Sequence, residues 1–223
     1  MPRNKSFRKN NYHYVEKLNL YLPRVTSILN IIAKPQLVNW AAKTAAKLAA
    51  VYPQEEPEEI VARVFDVRDT AADIGTQIHN IIKIKPPEEL KIEDCEERFR
   101  NRIFAYLTFL KLIGFKALIF SEMLVFSKQF GYAGHADQGF VTEAGLKILV
   151  DYKTGNLYDE VGLQLVAYEH ALLEMGIVDK FDQKMAVQLN DDGTMRMQDY
   201  NDKFQSFLHA LGLWKWKNKI DEL

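Results

Sequence analysis

Apolar residues recur at three- and four-residue spacing through the first half of the chain and then give way to alternation, and that switch predicts helices followed by a sheet. From Pro57, the residues Ile60, Val64, Val67, Ala71, Ile74 and Ile78 line one face of a long amphipathic helix that Pro86 and Pro87 end. Gly75 interrupts it and predicts either a kink or a junction between two helices. Ahead of it, Thr26 or Ser27 can cap a short helix through Asn30, and Pro35 suits the first position of an Ala-, Leu- and Lys-rich helix reaching Tyr52. A further helix over 88–112 buries Phe99, Ile103, Tyr106, Leu107 and Leu110, with Gly114 as its cap. Segments 117–127, 131–142 and 146–152 then read as strands, the last two joined by a short Glu143-Ala144-Gly145 loop. A helix over 160–175, two strands on either side of Asp191-Asp192-Gly193, and a helix over 202–220 complete an α/β layered domain with an N-terminal helical lobe. The division predicted is a basic arm at 1–22, a helical lobe at 23–114 and a core at 115–223, the last two packed as one compact unit.

Composition narrows the class. The 223 residues, 48% of them hydrophobic, supply a sizeable core, which excludes disordered, collagenous and coiled-coil chains. Cys95 is the single cysteine, so an internal disulfide framework, a zinc ribbon and an iron–sulfur cluster are excluded. No apolar run is long enough to span a membrane, and the basic start MPRNKSFRKN has no apolar signal region; it reads as a basic arm of a cytoplasmic protein, with an organelle or a virus-infected cell left open. The formal net charge of -1 argues against coating nucleic acid by bulk electrostatics. The charge is uneven, however. Residues 1–50 carry nine Lys and Arg against one acid, whereas 51–100 carry seven against thirteen. A basic front beside acidic stretches suits a phosphate-binding arm next to a carboxylate site, and it equally suits solvated helix faces around EEPEE and EDCEER.

Chemistry concentrates between Gly131 and Tyr168. In a strand, Asp151 and Lys153 share a face and Tyr152 points to the other. Pairing symmetric about Ala144 sets Asp137 opposite Asp151, and two carboxylates so placed repel unless a cation lies between them. A hard divalent ion, Mg²⁺ or Mn²⁺, suits such oxygen ligands. Lys153 beside the ion could orient or help deprotonate a water, or stabilise charge developing on a phosphate. Glu122 in IFSEMLVF alternates with Phe120, Leu124 and Phe126 on a mostly apolar face, where a carboxylate needs a metal, a lysine or an arginine.

These residues resemble the RecB-like exonuclease branch of the PD-(D/E)xK nuclease superfamily. Gly134-His135-Ala136-Asp137 is similar to its Gly-x-x-Asp motif, Asp151-Tyr152-Lys153 to its Asp-x-Lys, Gln164 with Tyr168 to its Gln-x-x-x-Tyr helix, and Glu122 to an upstream acid. Gly75-Thr76-Gln77-Ile78-His79 resembles its Gly-x-x-x-His helix, and Pro23-Arg24-Val25-Thr26-Ser27-Ile28-Leu29 the opening segment of phage-borne and mitochondrial genome maintenance members. The resemblance covers about residues 23–170 and is dense only over 131–168. It implies a restriction-endonuclease-like mixed sheet flanked by helices, with one or two Mg²⁺ or Mn²⁺ ions held by His79, Asp137, Asp151 and the backbone carbonyl of Tyr152, and no iron–sulfur cluster. It further implies that Lys153 positions the attacking water and that Gln164 and Tyr168 contact the phosphate or support Lys153. The activity implied is a DNA exonuclease acting on single strands or DNA ends in replication, recombination or repair. A structure-specific endonuclease and a non-catalytic DNA-binding subunit are the alternatives.

Several residues have a second reading. Tyr168 fits the apolar stripe of Val161, Leu165 and Leu172 as well as it fits the site, and His79 follows the buried-face Ile78. His135 reads as a donor behind the metal ligands or as an exposed residue, and His13, His170 and His209 receive no role. Arg3, Lys5, Arg8, Lys9 and Arg24, with Tyr12, Tyr14 and Tyr21 among them, could contact DNA or form a floppy tail. Trp214 and Trp216 cannot both be buried on one helix face.

Overall fold

In a computed structural model, described for residues 11–201 and 203–220 and for every side chain within them but Ile84, the alternating half of the chain forms a five-stranded mixed sheet. The chain divides into two units. One comprises residues 33–90, and the other the remainder. The helices Val25–Leu29 and Glu97–Leu112 therefore belong with the sheet, so the segment 23–114 is shared between the units.

The smaller unit is a helical pair, α2 (Pro35–Val51) and α3 (Pro57–Ile84). Both open on proline at the first helical position, where the missing N–H costs nothing. Glu56 and Glu59 form a reciprocal capping box at the start of α3, with Glu58 and Glu59 also complementing the positive end of the helix dipole. The acid-rich EEPEE run thus serves a helix start. Arg63 grips Glu55 through two guanidinium nitrogens and lies 4.1 Å from the centre of the Tyr52 ring. Helix α3 continues through Gly75 as one element.

In the larger unit, residues expected to form a polar arm instead form a hairpin, β1 (Tyr12–Val15) and β2 (Leu20–Pro23), with Tyr14 paired across to Tyr21. Its apolar side, Val15 and Leu22, packs on Ala133 of the main sheet. Arg3, Lys5, Arg8 and Lys9 lie outside the described residues. Helix α1 (Val25–Leu29) follows directly; Arg24 occupies its N-cap position without a side-chain cap, so neither Thr26 nor Ser27 caps it. Short 3₁₀ turns at Pro87–Glu89 and Ile92–Asp94 replace the first part of the helix expected over 88–112, and α4 occupies Glu97–Leu112.

Strands β3 (Phe115–Ser127), β4 (Tyr132–Thr142) and β5 (Lys147–Lys153) make an antiparallel meander. Helix α5 (Glu160–Glu174) crosses over to β6 (Gln183–Leu189), which runs parallel to β5, and β7 (Met195–Asp199) closes the sheet antiparallel to β6. The parallel pair requires such a crossover, and the hairpins do not. Helix α6 (Phe204–Lys217) packs with α5 and α1 on one face, burying Phe207, Ala210, Leu211 and Trp214. The opposite face carries α4, whose Phe109 meets Phe140 and Tyr152 edge-on. Trp214 is buried and lies 5.8 Å from Tyr12, whereas Trp216 is 79% exposed. His170 stacks on Phe204, and His209 contacts Gln205. Among the described residues no helix is long and apolar enough to cross a membrane.

Close packing at the sheet has a testable consequence at Gly139. A Cβ there would come within 2.4 Å of the buried Phe120 ring. Gly139→Ala is expected to destabilise the fold by about 1–3 kcal/mol, as overpacking does, read as a lower midpoint in urea unfolding. An unchanged midpoint would show that the ring moves aside freely.

Candidate functional site

The β4–β5 register is symmetric about Ala144, from Val141↔Lys147 to Gln138↔Val150. The loop makes this so: the Thr142 N–H donates to the Leu146 carbonyl, and Gly145 takes φ +82°, a turn conformation glycine adopts without strain. Extending that count would pair Asp137 with Asp151. The ladder stops one step short, and Asp137 Oδ2 instead accepts a 2.7 Å hydrogen bond from the backbone N–H of Tyr152.

The reason lies on β3. Glu122 has φ +48°, a left-handed conformation that disfavours any side chain and is rare inside a strand. On either side of it, Ser121 pairs with Gln138 and Met123 with Ala136, so Glu122 and Asp137 face each other at a break in the ladder. Both strands change face there. On β4, Tyr132 hydrogen-bonds α5 and Gly134 lies against Tyr168, yet Gln138 and Phe140, of the same parity, meet Tyr106 and Phe109 of α4. On β3, Phe120 shares the α5-side core with Met123 and Val125, an odd number of residues away. Regular alternation forbids both observations. The expected alternation of Glu122 with Phe120, Leu124 and Phe126 therefore does not hold, and the left-handed turn aims its carboxylate toward Asp137.

A cup of charge results. Ligand oxygens of Glu122 and Asp137 lie within 4.8 Å of each other. Asp151, 1% exposed, receives the Gln164 side-chain amide on Oδ1 at 2.6 Å, and its Oδ2 lies 2.6 Å from the Lys153 ammonium as an ion pair without hydrogen-bond geometry. Burial opposes charge on Lys153, but Asp151, Asp137 and Glu122 outweigh it and hold its pKa above the ordinary lysine value. Lys153 is thus held as an ammonium by the three acids around it.

Gln164 and Tyr168 sit one turn apart on α5, and Gln164 Nε2 donates to the Tyr168 hydroxyl at 3.2 Å as well as to Asp151. Gln164 thus contacts Asp151 directly, and Tyr168 reaches Asp151 only through Gln164. Tyr168 is both core and site: it is 3% exposed among Leu165, Ala171 and Leu172, and burial followed by the charges of Asp151 and Asp137 keeps its hydroxyl protonated. A Cβ on Gly134 would come within 2.4 Å of the Tyr168 ring, which gives the glycine three residues before Asp137 a physical role.

Behind β5, the Tyr152 hydroxyl donates to Gln138 Oε1 at 2.9 Å, and Gln138 in turn bonds Tyr106. This buried trio fixes the backbone whose N–H holds Asp137. Sequence reasoning does not single out Gln138 or Tyr106 for the site; a glutamine in an apolar strand next to Asp137 is the one signal that points to them. His79 lies on α3 of the smaller unit, half-buried and one residue after the fully buried Ile78.

Glu122 and Asp137, whose ligand oxygens lie within 4.8 Å of each other, offer the carboxylate donors that suit a hard divalent cation, while the Oδ2 of neighbouring Asp151 is paired with the Lys153 ammonium. Farther along β4, the exposed His135 meets His13 of β1 with ring centres 4.6 Å apart. Burial, then the nearby His135 and Arg24, lower the His13 pKa from 6.5 to about 4.

Two outcomes are expected. Glu122→Gly and Glu122→Ala both remove the carboxylate, but only glycine tolerates the left-handed backbone, so the glycine variant should be the more stable by about 1 kcal/mol in chemical unfolding; equal stability would mean that position 122 is unstrained. Between pH 6.5 and 4 the unfolded chain binds a proton at His13 that the native state does not, so this residue makes stability fall as pH falls through that window. His13→Gln should accordingly flatten the acid limb of the melting-temperature profile. Comparison with known proteins gives no match, either to a family model or among curated proteins.

Proposed function

We propose that the chain is a divalent-metal-dependent DNA nuclease that hydrolyses phosphodiester bonds, acting as an exonuclease on single strands or DNA ends in replication, recombination or repair. The observation that carries this reading is the convergence of Glu122, Asp137 and Asp151 around Lys153, achieved through a strained residue in the middle of a strand. Such strain persists where the surroundings over-determine it, and it concentrates at functional sites. The resemblance to the RecB-like branch of the PD-(D/E)xK superfamily supplies the reaction class and adds His79 and the Tyr152 carbonyl as ligands on its own account.

The chain's residues divide the work. Glu122, Asp137 and Asp151 would hold Mg²⁺ or Mn²⁺, which lowers the pKa of a bound water and draws charge from a phosphate oxygen. The Tyr152 N–H orients Asp137, and the Gln164 amide, itself anchored by Tyr168, orients Asp151. Lys153 carries a fixed positive charge beside the carboxylates, placed to steer the attacking water or to stabilise charge growing on the phosphate.

The test is incubation of end-labelled single-stranded, linear duplex and covalently closed circular DNA with Mg²⁺ or Mn²⁺. Wild type should degrade the first two, and Asp151→Ala and Lys153→Ala should each lower the rate by about 100-fold or more. Cleavage that survives either substitution removes the mechanism, and attack on closed circles moves the reading to an endonuclease. Mn²⁺ without DNA should raise the melting temperature of wild type, by mass action, and not that of Asp137→Ala. A protein that binds DNA but neither cleaves it nor responds to Mn²⁺ would be a non-catalytic subunit.

A further inference from the structure

A buried polar knot lies on the α4 side of the sheet, opposite Asp151 and Lys153. Gln138, fully buried, accepts the Tyr152 hydroxyl on Oε1 at 2.9 Å and donates through Nε2 to the Tyr106 hydroxyl at 3.1 Å. The same Nε2 reaches Ser121 Oγ at 3.5 Å. Tyr106 and Tyr152 are buried as completely, with ring centres 5.3 Å apart, and Phe109 packs edge-on against Tyr152. A packed layer has no need of these polar atoms: an amide without partners is costly to bury, and apolar side chains of the same shape would hold the layer about as well. What the amide adds is direction, because a satisfied polar network fixes one arrangement where apolar contacts allow several.

Its location gives that direction a use. Ser121 precedes Glu122 on β3, Gln138 follows Asp137 on β4, and Tyr152 lies between Asp151 and Lys153 on β5. One amide therefore touches three neighbouring strands, each at a residue next to a charged group of the cup. It does so where the backbone ladders fail. The β3–β4 pairing omits Glu122 and Asp137, and the β4–β5 pairing ends at Gln138 and Val150, one step before Asp137 and Asp151. At that step Asp137 accepts the Tyr152 N–H and Gln138 accepts the Tyr152 hydroxyl, so Tyr152 is held from both its ends.

We propose that Gln138 is a positioning residue for the cup: by tying Ser121, Tyr152 and Tyr106 together it sets the spacing of Glu122, Asp137 and Asp151, which the interrupted ladders do not set. That spacing belongs to the protein alone; its use in holding a divalent ion rests on the nuclease reading above. Tyr106 anchors the amide from α4, so the helix behind the sheet is the reference against which the three strands are placed. A displacement of Tyr152 would move Asp151 and Lys153 with it, and Asp137 through the N–H that it accepts.

The experiment compares the full chain with a variant whose knot is apolar throughout, Gln138→Leu, Tyr106→Phe and Tyr152→Phe together. Removing the partners at once leaves neither tyrosine hydroxyl stranded, so the urea midpoint should stay close to wild type. Without metal, the Tyr152 amide should exchange with solvent about tenfold faster relative to the amides of the β5–β6 ladder, and Mn²⁺ should bind about 10–100-fold more weakly. Leu211→Ala, which opens a cavity in the α6 layer on the other face, should lower the urea midpoint and leave both the exchange ratio and the Mn²⁺ affinity at wild-type values. Should the triple variant not fold, Tyr106→Phe, which removes a single hydroxyl, should still shift both readouts about threefold. Either wild-type Mn²⁺ affinity or an unchanged exchange ratio in the folded variant overturns the positioning role and spares the metal site. Leu211→Ala that weakens Mn²⁺ binding as much also overturns it, since stability alone would then govern the site. A wild type that binds no Mn²⁺, with Tyr152 exchange still released in the variant, keeps the positioning of the acids and removes the metal reading.

Discussion

The left-handed backbone of Glu122 opposite Asp137 is the constraint on which the site depends. Two paired strands that change face at the same level need a break in their ladder, and the break leaves peptide groups to be satisfied by other means. Asp137 meets this need by accepting the Tyr152 N–H, so the same irregularity that frees a donor also orients a carboxylate. On one side of the break β4 presents Gly134 and Ala136 to α5; on the other it presents Gln138 and Phe140 to α4. Both helix layers are therefore indexed to one residue pair, and a shift in either would misplace the acids.

Electrostatics explains how the acids come to share one cup. Three carboxylates in a partly desolvated space repel one another, and the Lys153 ammonium among them offsets that repulsion. The Gln164 amide and the Tyr152 N–H add hydrogen bonds to Asp151 and Asp137. A formal net charge of -1 says little about such a surface. Acids gather at the cup and bases at the hairpin end, and fields at that range are set by local groups rather than by the total. In the proposed reading, a divalent ion supplies the charge that the balanced sequence lacks.

Much of this is legible in the residues. The hairpin count about Ala144 is the observed register, because a short loop closed by glycine leaves no slack for slippage. Asp151 and Lys153 do share a face, and Gln164 and Tyr168 do meet on one helix turn. The β1–β2 hairpin escapes a reading of the sequence because its four-residue strands carry tyrosines and a histidine in place of an apolar alternation, and a basic front reads as a tail. Glu122 falls on the wrong alternation, since nothing in IFSEMLVF marks a left-handed residue where one expects glycine or asparagine.

The sequence by itself determined the helices, the β4–β5 register and the set of chemical groups within reach of Asp137, because periodicity, proline stops and loop length act over a few residues. Tertiary structure alone decided where those groups point. Glu122 turns toward Asp137 because two helix layers demand opposite faces of β4; Gln164 and Tyr168 serve Asp151 because Gly134 leaves room for the ring; and His13 reaches His135 because the hairpin is fastened at Ala133. Each of these depends on contacts between residues far apart in sequence, where the free energy of packing a whole layer outweighs the cost of one strained backbone angle.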